Sequence, residues 1–299
     1  MKYERRPHDD KYSTLALFLV PTFILYTVFV IIPIFQSARY SFYAWDGLGP
    51  LSRYIGIDNY REIVKDPVFW KSFQNNIITV VFSLVTQMPA AIFLAIVLTG
   101  KIRGKSFLRT MYFAPQIIST AAAGYMFYYI FEPTLGLLNE GLRAIGLGSM
   151  TRGWLGEPSL ALYAVLAVVS WKFIGFYMVL FMASIESIPI ELFEAARIDG
   201  CTSFQVIRKI TLPLLKGTLK TACVLSIVGS IKYFDLIWVM TAGGPAHSTE
   251  LIATYMYKKT FLSWEMGYGS ALAFVLFLIA FSLSVFFMVF SKTNKEEKP

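Results

Sequence analysis

Long stretches without one charged residue dominate the chain. Tyr12 to Ala38, Ser72 to Gly100, Thr110 to Phe131 and Met266 to Ser291 contain no Asp, Glu, Lys or Arg, and each has at least 22 residues. About 20 apolar residues suffice for a helix to cross the hydrocarbon core. Two further runs are as apolar but interrupted: Pro158 to Ile185 by Lys172, and Thr221 to His247 by Lys232 and Asp235. The pattern predicts an all-α integral membrane protein with six transmembrane helices, near 13–37, 72–99, 107–131, 160–185, 217–240 and 267–290. Continuous apolar runs favour helices over a barrel, whose strands alternate over about 10 residues. Pro21, Pro33, Pro89 and Pro115 fall inside spans, where neighbours can satisfy the carbonyls they free. The first apolar run is too long for a signal peptide's core, so it is expected to stay as an anchor.

Composition agrees. Apolar residues make up 56 % of the chain and charged residues 15 %, too few charges to cover a soluble domain of this length. Disordered and collagen-like classes are excluded on the same ground. The net charge of +8 therefore speaks first of topology, not of nucleic acid. With an inward N-terminus, sixteen of the 27 Lys and Arg fall on the inner side, nine on the outer side and two within spans. This excess points both termini to the cytoplasm, although the first outer loop, with five basic residues, pulls mildly the other way.

Enzyme chemistry finds little support. Gly100 to Ser106 is one residue short of a phosphate-loop spacing and follows a membrane helix rather than a strand. His8 and His247 lie far apart, no Gly-x-Ser-x-Gly turn occurs, and Cys201 and Cys223 form no metal pair. No catalytic residue, metal site or bound cofactor is expected.

The loop over residues 186–216 is the most ordered in appearance. Pro189 suits the first turn of a new helix, and Glu191 and Glu194 complement its N-terminus. Gly200 suits a helix stop, and Thr202 with Gln205 forms a capping-box pattern for a second short helix. Phe204, Ile207 and Ile210 then share a stripe, and Pro213 is expected to stop that helix and send the chain back into the membrane. A rigid helical elbow results, with Leu192, Phe193 and Ile198 available to a partner.

Glu194-Ala195-Ala196, three residues, Gly200, nine residues, then Ile210-x-Leu212-Pro213 resembles the EAA loop of ABC importer permeases. Gly56 to Tyr60, Asp66 to Trp70 and Asn75-Asn76 resemble the first outer loop of the sugar-type members. Phe234-Asp235, Thr241 to Pro245 and Tyr257 to Phe261 resemble the maltose-type F subunit and its glycerol-phosphate and lactose relatives. The likeness covers about residues 12–290. The chain departs from the maltose member in lacking its extra N-terminal helices and large outer domain.

The resemblance implies a type I ABC importer permease (MetI-like) fold, one transmembrane permease domain over 1–299 with the EAA coupling loop at 186–216 inside it. It implies import of a sugar or oligosaccharide by alternating access in a bacterial or archaeal cytoplasmic membrane. Implied partners are a second permease in a heterodimer, two ATPase subunits that hold ATP and Mg, and an extracytoplasmic solute-binding protein. Glu194, Ala195, Ala196, Asp199, Gly200, Ile210, Leu212 and Pro213 would carry the coupling to the ATPase. A glycerol-phosphate permease on the same scaffold is the first alternative, and a secondary carrier a more distant one.

Ionisable residues inside a span are functional candidates by default. Lys172 lies about 21 Å along its helix from Glu186, and Lys232 about 22 Å from Gly217, so both fall at similar depth. Asp235, three residues after Lys232, is placed to neutralise it on a continuous helix. Lys172, Phe173, Tyr177, Lys232, Tyr233 and Asp235 form the candidate translocation path. The plainer alternative is snorkelling lysines and a structural ion pair near the interface. Asn75, Asn76 and Gln87 are expected to make interhelical hydrogen bonds.

Overall fold

The structure, a computed structural model, describes residues 9–292 apart from 52 and 101, and side chains within 17–287. The described residues are mainly helical. Helix α1 (Asp9–Tyr26) passes through a π-helical turn, Thr27–Ile31, into α2 (Ile32–Tyr40). That wide turn falls just before Pro33, which lacks the N–H for the regular bond to residue 29. None of the core of this long span, Leu17–Tyr40, is buried. A helix apolar all round and exposed all round presents its surface to lipid or to another apolar chain.

Next come α3 (Asp58–Lys65) and α4 (Pro67–Thr99). Pro67 occupies the first turn of α4, and the Asp66 carboxylate accepts from the Val68 N–H at 2.8 Å, a complete N-terminal cap. Then follow α5 (Lys105–Ile117), α6 (Thr120–Ile130), α7 (Leu137–Ala144) and α8 (Ala161–Glu186). The elbow contains α9 (Ile190–Ile198), α10 (Ser203–Val206) and α11 (Leu212–Leu214). The chain ends with α12 (Lys216–Ile231), α13 (Asp235–Thr241), α14 (Ile252–Tyr257) and α15 (Met266–Lys292).

Four of the six expected spans are continuous helices long and apolar enough to cross a membrane: Leu17–Tyr40, Pro67–Thr99, Ala161–Glu186 and Met266–Phe287. The other two are broken. The expected span 107–131 is α5 and α6, parted at Ile118 and Ser119, where the backbone turns extended. The expected span 217–240 is α12 and α13, parted at Lys232 to Phe234. Apolar content reports where a chain can sit in lipid but not whether its helix is continuous there, since neighbours can supply the missing hydrogen bonds.

The chain divides into two compact units, 9–65 with Met256–Val275, and Asp66–Tyr255 with 276–292. In the first, the Asn59 amide donates to Ser41 O (2.8 Å) and Tyr43 O (3.2 Å), which pins α3 beneath the turn that follows α2. In the second, α4 and α8 form the spine. Ala91 and Ala95 are fully buried against Met178, Phe181 and Met182, with Leu215 and Ala222 closing the cluster. A second cluster joins Val165, Leu166 and Val169 of α8 to Leu236, Ile237 and Met240 of α13 and Ala123 of α6. Small residues let helices approach where lipid offers no hydrophobic drive between them. Gly175 is the tightest case in α8: a Cβ there would lie 2.0 Å from Tyr112 O, so α5 crosses α8 backbone to backbone.

Candidate coupling elbow and translocation path

The elbow is built almost wholly from its own backbone. Helix α9 ends in a Schellman turn: Gly200 N–H donates to Arg197 O (3.1 Å) and Cys201 N–H to Ala196 O (2.9 Å). Gly200 holds φ +72°, and no atom lies near where a Cβ would stand, so the requirement for glycine there is conformational alone. Thr202 and Gln205 form the expected capping box, with bonds of 3.3 and 2.7 Å. Beyond it the expectation for Pro213 is corrected. The helical path does not stop there; it widens into a π turn at Ile207–Thr211, carries Pro213 in the first turn of α11, and bends by 61° into α12. Proline at a first helical turn lacks only an N–H that would be unpaired anyway, so it starts a helix as readily as it ends one.

Glu194, Ala195, Asp199 and Gly200 are exposed, whereas Ala196 is buried. Ile210 is half-buried, and Leu212 and Pro213 are exposed. Ile198 is 87 % exposed and Phe204 69 % exposed, with Ile190 and Leu192 beside them in sequence also open. Large apolar side chains presented on a polar loop mark a surface that a partner covers. The base of the elbow is tied across its two flanking helices: Thr218 Oγ1 donates to Ser184 Oγ at 2.8 Å. Arg109 also reaches Glu186 at 3.4 Å.

Between α4, α8 and α12 lies a cavity of about 40 Å³ whose lining includes Ser83, Gln87, Phe173, Tyr177, Ser230 and Tyr233. The Ser83 Oγ and Tyr233 hydroxyl are buried with no hydrogen-bond partner among the described residues. Buried hydroxyls of that kind call for a hydroxylated or water partner. The Phe173 and Tyr233 rings meet edge to face, 6.1 Å apart.

Three of the six path candidates, Phe173, Tyr177 and Tyr233, thus line one cavity. The other three do not. Lys172 is only 3 % exposed, and its Nζ donates to Pro115 O (3.2 Å) and Ile118 O (2.5 Å). Those are the carbonyls freed where α5 ends, so the lysine caps a broken helix with its charge at the negative pole. It does not snorkel, and it joins no ion pair among the described residues. Lys232, in the break between α12 and α13, and Asp235, the first residue of α13, are exposed and make no ion pair among the described residues. The three-residue spacing pairs them only on a continuous helix.

A further region is the Gly-Gly-Pro loop after α13. The Asn75 amide donates to His247 O (3.3 Å), Ser248 O (3.0 Å) and Glu250 O (2.9 Å). Asn76 donates to Ile231 O (3.1 Å), the end of α12, and accepts from Ile252 N–H (3.0 Å), the start of α14. The loop folds around the fully buried Glu250 side chain, whose Oε2 lies 2.9 Å from His247 Nδ1. Thr249 closes it, donating to Gly244 O at 2.7 Å. The Gly244–Pro245 peptide is cis.

Residues 87–291 match the family described as binding-protein-dependent transport system inner membrane component. The chain belongs to this family. It is 40 % identical over 283 residues to a probable ABC transporter permease protein of Bacillus subtilis, covering 94 % of this chain and 97 % of that one. It is 31 % identical over 278 residues to the diacetylchitobiose uptake system permease protein of Streptomyces coelicolor, covering 89 % and 79 %. Its fold is that of a chain in the bacterial alginate ABC transporter, solved in complex with an alginate pentasaccharide-bound periplasmic protein. The TM-score is 0.85 at 22 % identity, over 98 % of this chain and 99 % of that one.

This chain is thus a permease, a multi-pass membrane transport subunit with the importer-permease fold. Sequence reasoning missed the three serines, Ser83, Ser226 and Ser230, of this permease's cavity. Ser83 and Gln87 stand four apart on α4, and Ser226, Ser230 and Tyr233 follow at steps of four and three on α12 and the break after it. That helical spacing of small polar residues in an apolar run was the available signal.

Proposed function

We propose that the permease is one of two membrane-spanning subunits of an ATP-driven importer of a sugar or oligosaccharide. The elbow is its transmission point. ATP and Mg are held by separate ATPase subunits, a solute-binding protein delivers the substrate, and the elbow and both termini lie in the cytoplasm of a bacterium or archaeon. The observation that carries this reading is the exposed, self-capped α9–α10 elbow joined directly to α8 and α12, the helices that line the polar cavity. A push on the rim around Ile198 would be delivered to both walls of that cavity, because the Gly200 turn is locked by its own hydrogen bonds. Glu194, Ala195, Ala196, Asp199 and Gly200 form the docking helix; Ile210, Leu212 and Pro213 pass the movement into α12. Phe173, Tyr177 and Tyr233 form the path; at about 40 Å³ its cavity has room for water alone, so it must widen before its buried hydroxyls can meet sugar hydroxyls. Neither Lys172 nor Lys232 lines the cavity, which weighs against glycerol-phosphate or another anion.

The test is uptake by the reconstituted transporter with a panel of sugars, comparing wild type with Gly200→Val. A β-branched residue at positive φ costs roughly 1–2 kcal/mol, enough to distort the turn while the spans insert normally. Sugar-stimulated ATP hydrolysis is expected to uncouple from uptake in the variant. Normal uptake by Gly200→Val would remove the elbow from this role.

A further inference from the structure

The loops joining α2 to α3 and α14 to α15 fold against each other within the first compact unit. Gly267 N–H donates to Trp45 O at 2.8 Å, Ala44 N–H to Arg53 O at 3.0 Å, and Tyr43 pairs with Tyr54. Together they line an open cleft of about 690 Å³, within the size range of small-molecule sites. It shares no residue with the polar cavity of α4, α8 and α12.

Its lining combines aromatic faces with fixed charges. Trp45 and Trp264 contribute indoles, and Tyr268 contributes a phenol with Lys259 Nζ 5.2 Å from its ring centre. The Trp45 ring is held: its Nε1 donates to Leu48 O and Gly49 O, both at 3.3 Å, and its face meets Tyr40 at 4.7 Å. Lys259 is held by Glu265 at 2.9 Å. Acidic Asp46, Glu62 and Glu265 face basic Arg53 and Lys259 in one lining. The near balance, with one excess negative charge, disfavours a phosphate or another anion. Lys259 over the Tyr268 ring already occupies a place a cationic ligand would take.

Trp264 adds an observation of a different kind. It holds φ +58° and is 59 % exposed. A bulky residue in the left-handed region is a true outlier, and such strain collects at functional sites. The π-helical turn Lys258–Leu262 ends two residues before it, another irregularity enriched at such sites. Gly or Asn would suit that backbone, and neither would offer an indole.

We propose that this cavity is a second saccharide site, taking a neutral sugar ring whose apolar C–H faces lie on the indoles while its hydroxyls bond the carboxylates and guanidinium. The site rests on the proposed sugar-importer function, whose expected topology puts both loops on the extracytoplasmic side. There it would hold substrate before entry.

The test uses the full transporter in nanodiscs without its binding protein, with maltotriose, N,N′-diacetylchitobiose and lactose as probes. Saturation transfer from protein to sugar C–H protons is expected for at least one probe, and Trp264→Gly is expected to reduce it about fivefold or more. Because glycine suits the positive φ, that variant should keep or raise the thermal unfolding midpoint; a structural tryptophan would lower it. Arg53→Gln is expected to weaken the same signal with the midpoint unchanged. No transfer to any of the three sugars, or equal transfer in wild type and Trp264→Gly, overturns the site. So does a variant that loses only its association with the binding protein, which would make the pocket a docking face. Uptake of the same sugars by the wild-type transporter is scored separately. Uptake without saturation transfer overturns this site alone, and absence of sugar uptake overturns the function on which it rests.

Discussion

The two turns that flank the fifth apolar run are both punctuated by glycine and proline, yet they are held in opposite ways. The elbow, Pro189 to Pro213, is closed by hydrogen bonds within itself, and it leaves Ile198 and Phe204 in the open. The Gly-Gly-Pro loop, Thr241 to Leu251, has bonds of its own, such as Thr249 to Gly244, but it is also tied from outside by Asn75 of α4 and buries Thr249, Glu250 and Leu251. A turn that caps itself can move as a body and still offer its side chains to a partner. A turn whose carbonyls are satisfied by another helix is bound to that helix, and opening it strands buried polar groups. The first leaves its exposed side chains unattached, and the second is anchored.

The sharpest way to break this contrast is Asn75→Ala. It removes one donor that serves three loop carbonyls, and buried groups left unpaired cost roughly 1–3 kcal/mol each. A loss of about 3 kcal/mol is expected, read as a large fall in the unfolding midpoint of the purified protein. A midpoint unchanged within error would show that the loop holds itself.

Lys172→Met extends the comparison to the break in the third apolar run, which is also held from outside. The variant keeps the stem's volume but leaves Pro115 O and Ile118 O without their donor, for a loss of roughly 2 kcal/mol. Lys172→Arg should recover part of it. Equal stability of the Met variant and wild type would mean that the two carbonyls find other partners.

The elbow should respond less. Thr202→Ala removes one half of the capping box, worth about 1 kcal/mol. It is expected to show as faster hydrogen exchange at the Gln205 amide, with the global midpoint held. A global fall as large as that of Asn75→Ala would erase the distinction between the two turns.

The smallest effect concerns a third turn, after α6. The Leu135 N–H at 2.5 Å, followed by the hydroxyl and N–H of Thr134, holds the Glu132 carboxylate below its usual pKa, against some desolvation. A depressed carboxylate contributes above its ordinary pKa and loses that contribution as pH falls through the lowered value. Protection of the Leu135 amide should therefore weaken on acidification in wild type. Glu132→Gln should abolish the pH dependence.

Legibility in the sequence followed the range of the interaction. The elbow was readable to the residue, at Gly200 and the Thr202–Gln205 box, because a Schellman turn and a capping box involve only neighbours three to five apart. Phe173, Tyr177 and Tyr233 were found as aromatics in apolar runs, but the serines and Gln87 that share their cavity sit on two other stretches, α4 and α12. Lys172 was conspicuous as a charge in a span, yet its partners are carbonyls 57 and 54 residues earlier. The Lys232–Asp235 pairing failed because it assumed a helix that the structure breaks between them.

By itself the sequence determined that this is a membrane protein, where its apolar stretches lie, how its elbow is capped and which permease family it resembles. Each is a matter of local periodicity, uncharged length or close spacing. Only the tertiary structure decided that two of those stretches are broken, that Lys172 and Asn76 repair the breaks, and that Asn75 ties down the loop after α13. It also decided that one strained tryptophan lines a cavity between two distant loops. The reason is physical: a backbone carbonyl freed inside an apolar run must be paired, and nothing in the run itself says which distant side chain will do it.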